Sequence, residues 1–371
     1  MRKDSKVDSK NEVITLNREN FIWLVSDIYS SPDLKILKDR IGRLKDFVDF
    51  PERFDNHILH GSKGETVSFR KDLLSSDLYQ ILETITLERA KYYLKRLHVS
   101  AEKTKTKKIN DINLYRWKEY DEIITDSLWI VDKRDRSGEH LGWYWGNFIP
   151  QIPHQMLLRY TKKNDWVLDG FLGSGTTLVE CQRLGRNGIG IELNHHIAEQ
   201  AKELIEKEDN KYNIITEVIT DDNRTADIKP VLEKYGIKSV QLIIMHPPYH
   251  DIIKFSSDKR DLSCAGNTKK FLKMFASAVE NLTPFLEHDR YLAVVIGDKY
   301  GGREWIPLGF YCMEEILKRG YLLKSIIVKN FEQTRGKRNQ KELWRYRALA
   351  GGFYVFKHEY IMIFKKISEE E

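Results

Sequence analysis

The sequence predicts an α/β protein, with a mostly parallel sheet covered by helices on both faces and a mainly helical N-terminal region ahead of it. Three observations carry this. An apolar run, Val167-Leu-Asp169, ends in an acid and opens into the glycine-rich turn Gly170-Phe-Leu-Gly-Ser-Gly-Thr-Thr177. From there to about residue 365, short apolar runs alternate with segments of helical period, the texture of strand–helix–strand units. Residues 1–140, by contrast, are highly charged and mostly lack strand alternation. At 371 residues the chain exceeds one average domain. Two are expected: an accessory region over 1–140 and a ligand-binding α/β domain over 141–371.

Composition bounds the class. Apolar residues at 41% and charged ones at 31% describe a soluble globular protein, and no apolar run is long enough to cross a bilayer. The start, Met1-Arg-Lys-Asp-Ser-Lys6, is polar with no apolar signal core behind it, so a cytoplasmic location without membrane partners is expected. Cys181, Cys264 and Cys312 are too few and too scattered for a disulfide framework or a zinc site, and no metal is expected. The net charge of +6 permits a polyanionic partner without requiring one.

In the N-terminal region, apolar positions over residues 21–29 and 78–90 recur near helical spacing and predict amphipathic helices. Between them lies a polar stretch with Pro51 and the turn-like His60-Gly-Ser-Lys-Gly64. Lys103, Lys105, Lys107 and Lys108 form a basic run that reads either as a solvated loop or as a phosphate-contacting patch. The texture then changes at Gly142-Trp-Tyr-Trp-Gly-Asn-Phe-Ile-Pro-Gln-Ile-Pro153, where aromatics, glycines and prolines predict a shaped, irregular segment. Composition alone leaves it equally a packed entry loop or a lid over the strand that follows.

The glycine turn is the centre of the α/β domain. Gly170, Gly173 and Gly175 can adopt positive φ and let a ligand approach the main chain. Thr176 and Thr177 stand at a helix start, where free N–H groups and hydroxyls meet polar ligand atoms. Asp169 ends a strand at its carboxyl edge, where open α/β sheets hold ligands. Neither the dinucleotide glycine fingerprint nor the lysine-ending phosphate loop is present, which turns the reading away from nicotinamide cofactors and ATP.

A helix over 177–183 and a turn over 185–188 lead to a second strand over 189–192, whose terminal Glu192 stands at the spacing of a ribose-binding acid. A helix over 194–207 and a third strand over 214–219 follow, ending in Asp221-Asp-Asn-Arg224, whose side chains can reach an adenine edge. The run over 240–245 is a buried parallel strand ending in His246-Pro-Pro-Tyr249, where consecutive prolines hold one loop shape. Beyond it come a helix over 267–286, a strand over 291–297, a helix over 308–319, and strands over 322–328 and 354–365. Between the last two, residues 329–350 include a basic segment interleaved with Trp344 and Tyr346. Arg335, Lys337, Arg338, Lys341, Trp344, Arg345 and Arg347 suit contact with a phosphate backbone and base stacking, against the alternative of an exposed hairpin loop.

Together, Asp169-Gly-Phe-Leu-Gly-Ser-Gly-Thr-Thr177 and His246-Pro-Pro-Tyr249 resemble the two signatures of the S-adenosylmethionine-dependent DNA methyltransferases that modify exocyclic amino groups, the N6-adenine and N4-cytosine family. The resemblance covers residues from about 142 to 366. That family usually has proline where Gly170 stands, and Asp, Asn or Ser where His246 stands. The resemblance implies a Rossmann-like methyltransferase fold with S-adenosylmethionine as cofactor. Asn147, Phe148, Gln151, Asp169, Phe171, Gly173, Gly175 and Thr176 would line it, with Glu192 and Leu193 at the ribose and Asp222 and Asn223 at the adenine. It also tips the 142–153 segment towards a role at the methionine moiety.

By the same resemblance, His246 and the Pro247 carbonyl accept hydrogen bonds from the target amino group, Pro248 stiffens the loop and Tyr249 stacks on the base. The implied partner is double-stranded DNA with its target base flipped out, which places the protein at the nucleoid when bound, and a cognate restriction enzyme is the implied companion. Only 68 residues separate the two signatures, so base reading falls to residues 1–140, to the region after 250, or to both. The non-acidic His246 tilts the target towards N4 of cytosine over N6 of adenine. Because protonated imidazole accepts no hydrogen bond, activity is expected to decline as pH falls through about 6.5, with His246 shaping the loop only as the alternative. His250 and Asp251 are close enough in sequence to assist. RNA amino-methylation and a non-catalytic nucleic-acid-binding subunit are the competing readings; the oligomeric state is not legible.

Overall fold

The structure, a computed structural model, describes residues 12–54, 58–60, 64–331 and 341–367. It divides into two units, one formed by residues up to Lys107 with Ile112–Glu122, the other by Lys108–Asp111 with residues from Ile123 onward. The first comprises β1 (Val13–Asn17), α1 (Arg18–Tyr29), α2 (Leu34–Asp49), β2 (Thr66–Arg70), α3 (Lys71–Leu82) and α4 (Leu87–Glu102). Helices α1, α2 and α4 each open on a side-chain cap: Asn17 accepts from the Asn20 N–H, Asp33 from Ile36 and Thr86 from Arg89. Phe21, Leu37, Ile41, Leu78 and Leu94 meet in its core.

The helices are present as expected in kind, with two refinements. The apolar pattern over 78–90 is not one helix: α3 ends at Leu82, the Thr84 hydroxyl donates to the Ile81 carbonyl, and Thr86 caps a new helix. Strands are also present, because β1 and β2 pair antiparallel from Val13↔Arg70 to Asn17↔Thr66. Each has only five residues, and the two are separated by a long stretch of chain, so neither advertises itself locally.

The second unit contains β3 (Leu128–Trp129), α5 (Gln151–Tyr160), β4 (Trp166–Asp169), α6 (Thr176–Leu184), β5 (Asn187–Glu192), α7 (His195–Lys207), β6 (Thr216–Thr220), α8 (Lys229–Lys234) and β7 (Val240–Met245). It continues with α9 (Thr268–Leu282), β8 (Leu286–Ile296), the hairpin β9 (Lys299–Gly301) and β10 (Glu304–Ile306), α10 (Leu308–Leu317), β11 (Tyr321–Asn330), α11 (Lys341–Gly351) and β12 (His358–Lys366). Eight strands form one sheet in the order β3-β11-β12-β8-β7-β4-β5-β6. From β8 to β6 all pairings are parallel, and β12 runs antiparallel to both β8 and β11. This is the expected Rossmann-like methyltransferase fold. Residues 123–140 fall in this unit, and β3 pairs with β11.

Both sheet faces are covered, and the strands show it by alternation. Leu168, Ile243 and Met245 pack with Phe275 and Leu282 of α9, whereas Val167, Leu242 and Ile244 pack with Ile152 and Met156 of α5. The chain proceeds from β4 outward to β5 and β6, then returns to β7 on the other side of β4. The strand order therefore reverses between β4 and β7, and a crevice at their carboxyl ends follows from that topology. Several boundaries differ from the sequence pattern. β8 begins at Leu286, not 291, because the preceding helix stops at Leu282, where the Thr283 hydroxyl bonds back to the Val279 carbonyl and Pro284 follows. The stretch expected as a loop over 329–350 is strand to Asn330 and helix from Lys341. Among the described residues no helix is long and apolar enough to cross a membrane.

Candidate active site

The turn between β4 and α6 is shaped from below. Asp169, 1% exposed, accepts the Phe171 N–H at 2.9 Å and the Thr177 hydroxyl. Burial raises its carboxyl to about 6, against the two hydrogen bonds. Gly173 and Gly175 hold φ of +55° and +86°, a region open to glycine at little cost. The loop's next polar anchor is Glu192 at the end of β5, which accepts the N–H groups of Gly173 at 3.0 Å and Asn194 at 2.8 Å. Burial lifts this carboxyl to about 7, with those N–H groups opposing. At the end of β6, Asp222 is paired with Arg224, and the Asn223 amide donates to the Gly170 carbonyl at 2.6 Å.

These groups border a cavity of about 880 Å³, within the size range of small-molecule sites. Asn147, Phe148, Phe171, Gly173, Thr176, Glu192, Leu193, Asp222 and Asn223 are in its wall. Three expected members are not. Asp169 lies beneath the loop, Gly175 faces Ile205 and Ala201 on α7, and Gln151 binds the Lys133 carbonyl and the Asp135 N–H. Each braces the site from behind.

Residues 142–149 are irregular and line the cavity over most of their length. The Asn147 amide donates to the Ser174 hydroxyl, and the Tyr144 ring stacks on Phe255 at 5.7 Å. This segment is tied down at its base. Glu180 of α6, almost fully buried, bonds His140 at 2.6 Å and His154 at 2.7 Å, while Arg183 donates to the Ser137 carbonyl at 2.7 Å.

The opposite wall holds His246, Pro247, Pro248 and Tyr249. The His246 ring lies 4.9 Å from that of Phe148, and its Nε2 is 3.3 Å from the Tyr249 hydroxyl. That hydroxyl donates to Glu359 at 2.7 Å, and Lys329 donates to the other oxygen of the same carboxylate at 2.9 Å. Lys329 and Glu359 are cross-strand neighbours on β11 and β12, exposed by only 4% and 9%. No motif announces them; the available signal was a lysine and a glutamate each beside an apolar run, Ile326–Val328 and Tyr360–Phe364, and such charges need each other when buried.

Burial lowers His246 to about 4, with Glu359 opposing and Lys329 adding to the shift. The expected acid-side decline near 6.5 is thereby corrected downward, since that value assumed a solvated ring. His250 and Asp251 are not in the wall: His250 bonds the Ala265 carbonyl and Lys299, and Asp251 pairs with Lys299.

Of the basic segment, Arg335, Lys337 and Arg338 lie outside the described residues, and Lys341 is described only as the first residue of α11. Trp344 is in the cavity wall, Arg345 and Arg347 are exposed on the helix, and the Arg347 guanidinium sits 5.2 Å from the Trp344 ring centre. Lys103, Lys105, Lys107 and Lys108 are exposed, and Lys108 pairs with Glu287.

The chain is similar to known methyltransferases over parts of its length. Type II methyltransferase M.MjaII of Methanocaldococcus jannaschii is 25% identical over 243 residues, covering 59% of this chain and 44% of its own. Type II methyltransferase M.HpaI of Haemophilus parainfluenzae is 43% identical over 63 residues, covering 17% of this chain and 20% of its own. A tRNA (guanine(10)-N2)-dimethyltransferase of M. jannaschii is 27% identical over 230 residues, covering 58% and 60%. The chain thus spans less than two thirds of the length of each of these relatives. A family model described as DNA methylase, N6_N4_Mtase, matches residues 14–203, just over half of the chain and inclusive of the glycine loop and Glu192. The chain belongs to this family of DNA methylases, the amino-methylating enzymes whose methyl donor is S-adenosylmethionine.

Proposed function

We propose that this chain moves a methyl group from S-adenosylmethionine to an exocyclic amino group of a base in double-stranded DNA, as the modification enzyme of a restriction-modification or related defence system. The observation that carries the reading is convergence: the glycine loop with Glu192 and the His246-Pro-Pro-Tyr249 loop face one cavity from the ends of adjacent strands. The cofactor fits the first wall. Glu192 offers carboxylate oxygens to a ribose diol, the Gly173 turn borders the cavity, Asp222 and Asn223 stand at an adenine edge, and Asn147 and Phe148 border the methionine end.

The bound cofactor supplies an electrophilic methyl. The chain's own task is to make a weak nucleophile react, since the lone pair of an exocyclic amine is delocalised into the ring. His246 and the Pro247 carbonyl accept hydrogen bonds from that amine, which localises its lone pair, and Tyr249 offers a flat face to the base. Preorganised acceptors and proximity then carry the catalysis. A duplex base must leave the stack to enter such a cavity. We place DNA contacts in α11 and the basic stretch before it, together with residues 1–140, and favour N4 of cytosine because His246 is not an acid.

Incubation with radiolabelled S-adenosylmethionine and either duplex DNA or total RNA, followed by nucleoside analysis, tests the proposal. Label in N4-methylcytosine or N6-methyladenine of DNA supports it. Label confined to RNA would favour the second reading, for which the tRNA-modifying relative is the motivating observation. Tight cofactor binding with no transfer to either would assign a non-catalytic nucleic-acid-binding role.

A further inference from the structure

We propose that Glu359, acting through Tyr249, is a positioning residue that sets the tautomer of His246, so that Nε2 carries the ring proton and Nδ1 is left as the bare acceptor. The inference rests on the preceding reading only in giving Nδ1 the target amine to accept from. The tautomer itself follows from counting protons along a chain of four side chains.

Lys329 anchors the chain. Its ammonium has donors only and gives one to Glu359 at 2.9 Å, from the neighbouring position on the paired strand. Buried beside that cation, Glu359 is a carboxylate and can only accept. Its second oxygen lies 2.7 Å from the Tyr249 hydroxyl, so the single phenolic proton must point at Glu359. The Tyr249 oxygen then has only lone pairs to offer on its other side. His246 Nε2 stands there at 3.3 Å, and a bare Nε2 would set lone pair against lone pair. The contact is favourable only as Nε2–H donating to oxygen. A neutral imidazole has one N–H, so Nδ1 is unprotonated. Among the described residues no protein group hydrogen-bonds Nδ1, and His246 is in the cavity wall.

The arrangement compensates for the departure from the acid, amide or hydroxyl usual at this position. A carboxylate or a carbonyl accepts whatever its neighbours do. An imidazole is an acceptor at a given nitrogen only when the other nitrogen is held as the donor, and the strands β11 and β12 supply what holds it.

Long-range proton–nitrogen correlation spectra of the full chain, labelled with ring-¹⁵N histidine and recorded near neutral pH with S-adenosylhomocysteine bound, test this directly. His246 is assigned by the signals that disappear in His246→Asn. The expected pattern is a protonated Nε2 and an unprotonated Nδ1. In Glu359→Gln the amide can donate to the Tyr249 oxygen and free the phenolic proton for Nε2, so the pattern moves towards Nδ1–H. kcat should then fall about 10- to 100-fold, by analogy with the partners that orient metal-ligating histidines, with KM for the cofactor unchanged. Tyr249→Phe keeps the ring face but removes the oxygen, and should give a mixture of tautomers. Nδ1–H in the native chain, or the native pattern persisting in both variants, overturns the proposal. The native pattern, shifting as expected in the variants, in a protein that methylates neither DNA nor RNA would uphold the relay and overturn the functional reading instead.

Discussion

Gly297, the residue after β8, lies against the ring of Tyr249: a Cβ at 297 would stand 2.8 Å from Cε2 of that ring, closer than non-bonded carbons tolerate. The ring is also tethered at its tip, because its hydroxyl is held by Glu359. Gly297→Ala must therefore displace the aromatic face offered to the target base. The expected result is a fall in kcat on the order of 100-fold, as for small misplacements of reacting groups, with cofactor affinity retained. Steady-state kinetics beside calorimetric titration of S-adenosylmethionine would show it; equal losses in both would mean a general collapse of the site.

Glu192 gives a second test, through pH. Its carboxyl titrates near 7 because burial penalises the charge more than the N–H groups of Asn194 and Gly173 favour it. A ribose diol donates to the ionised form, so affinity for S-adenosylmethionine should rise with pH through about 7 and then level. In the ligand-free protein the sign is opposite. A carboxyl whose pKa is raised on folding contributes stability that is fully present below its unfolded value and is lost as pH rises through about 7. Glu192→Gln should flatten both profiles and weaken cofactor binding about tenfold, near the low end for a charged hydrogen bond. A pH-independent Kd in the native chain would contradict this assignment.

His246 should leave the rate untouched over the range in which exposed histidines titrate. Buried to a value of about 4, the ring is neutral and able to accept from about pH 8 to about pH 5. Single-turnover rates at saturating cofactor, which removes the Glu192 effect, should be flat there and decline only towards pH 4. His246→Asn retains an acceptor and should keep more activity than His246→Ala. A midpoint near 6.5 in the native enzyme would mean that the ring is solvated during catalysis.

What the sequence disclosed and what it hid follow from the range of the interactions. β4, the glycine turn, Glu192 and His246-Pro-Pro-Tyr249 are legible because each is a local pattern, an apolar run ended by residues with special backbone or hydrogen-bonding needs. The pairing of β1 with β2, and of Lys329 with Glu359, joins positions far apart in the chain, and no local pattern encodes a partner. Asp169 misled in a subtler way: its place at a strand end suggested ligand contact, whereas the Thr177 hydroxyl and Phe171 N–H turn it inward. The expected pH midpoint moves down for a related reason, since burial of His246 belongs to the fold and not to the tetrapeptide.

On α11, the exposed Arg345 and Arg347 test whether this helix meets the phosphate backbone. Each arginine–phosphate pair removed by substitution should lower the slope of log affinity against log salt by about 0.9. Arg345→Ala and Arg347→Ala together should therefore weaken binding to all duplex sequences alike, with cofactor affinity unchanged. An unaltered slope in fluorescence anisotropy titrations would remove the helix from the interface.

At the base of the 142–149 segment, His140 and Glu180 are almost wholly buried, and the glutamate's two oxygens are shared between His140 and His154. Burial alone would raise Glu180, yet the two histidines hold it below the ordinary carboxylate range. A carboxyl depressed on folding contributes stability that is present above its unfolded value and lost as pH falls through the folded one, so this latch should open on acidification. Glu180→Ala leaves a buried histidine without its partner and should cost about 2–4 kcal/mol, read as a lowered Tm. Because the same glutamate anchors the segment that carries Tyr144 and Asn147, hydrogen exchange should quicken over residues 134–148 and cofactor binding should weaken. Glu180→Gln, which can still accept from one histidine, should fall between. A lowered Tm with native exchange in that segment would show that Glu180 stabilises α6 without holding the cavity wall.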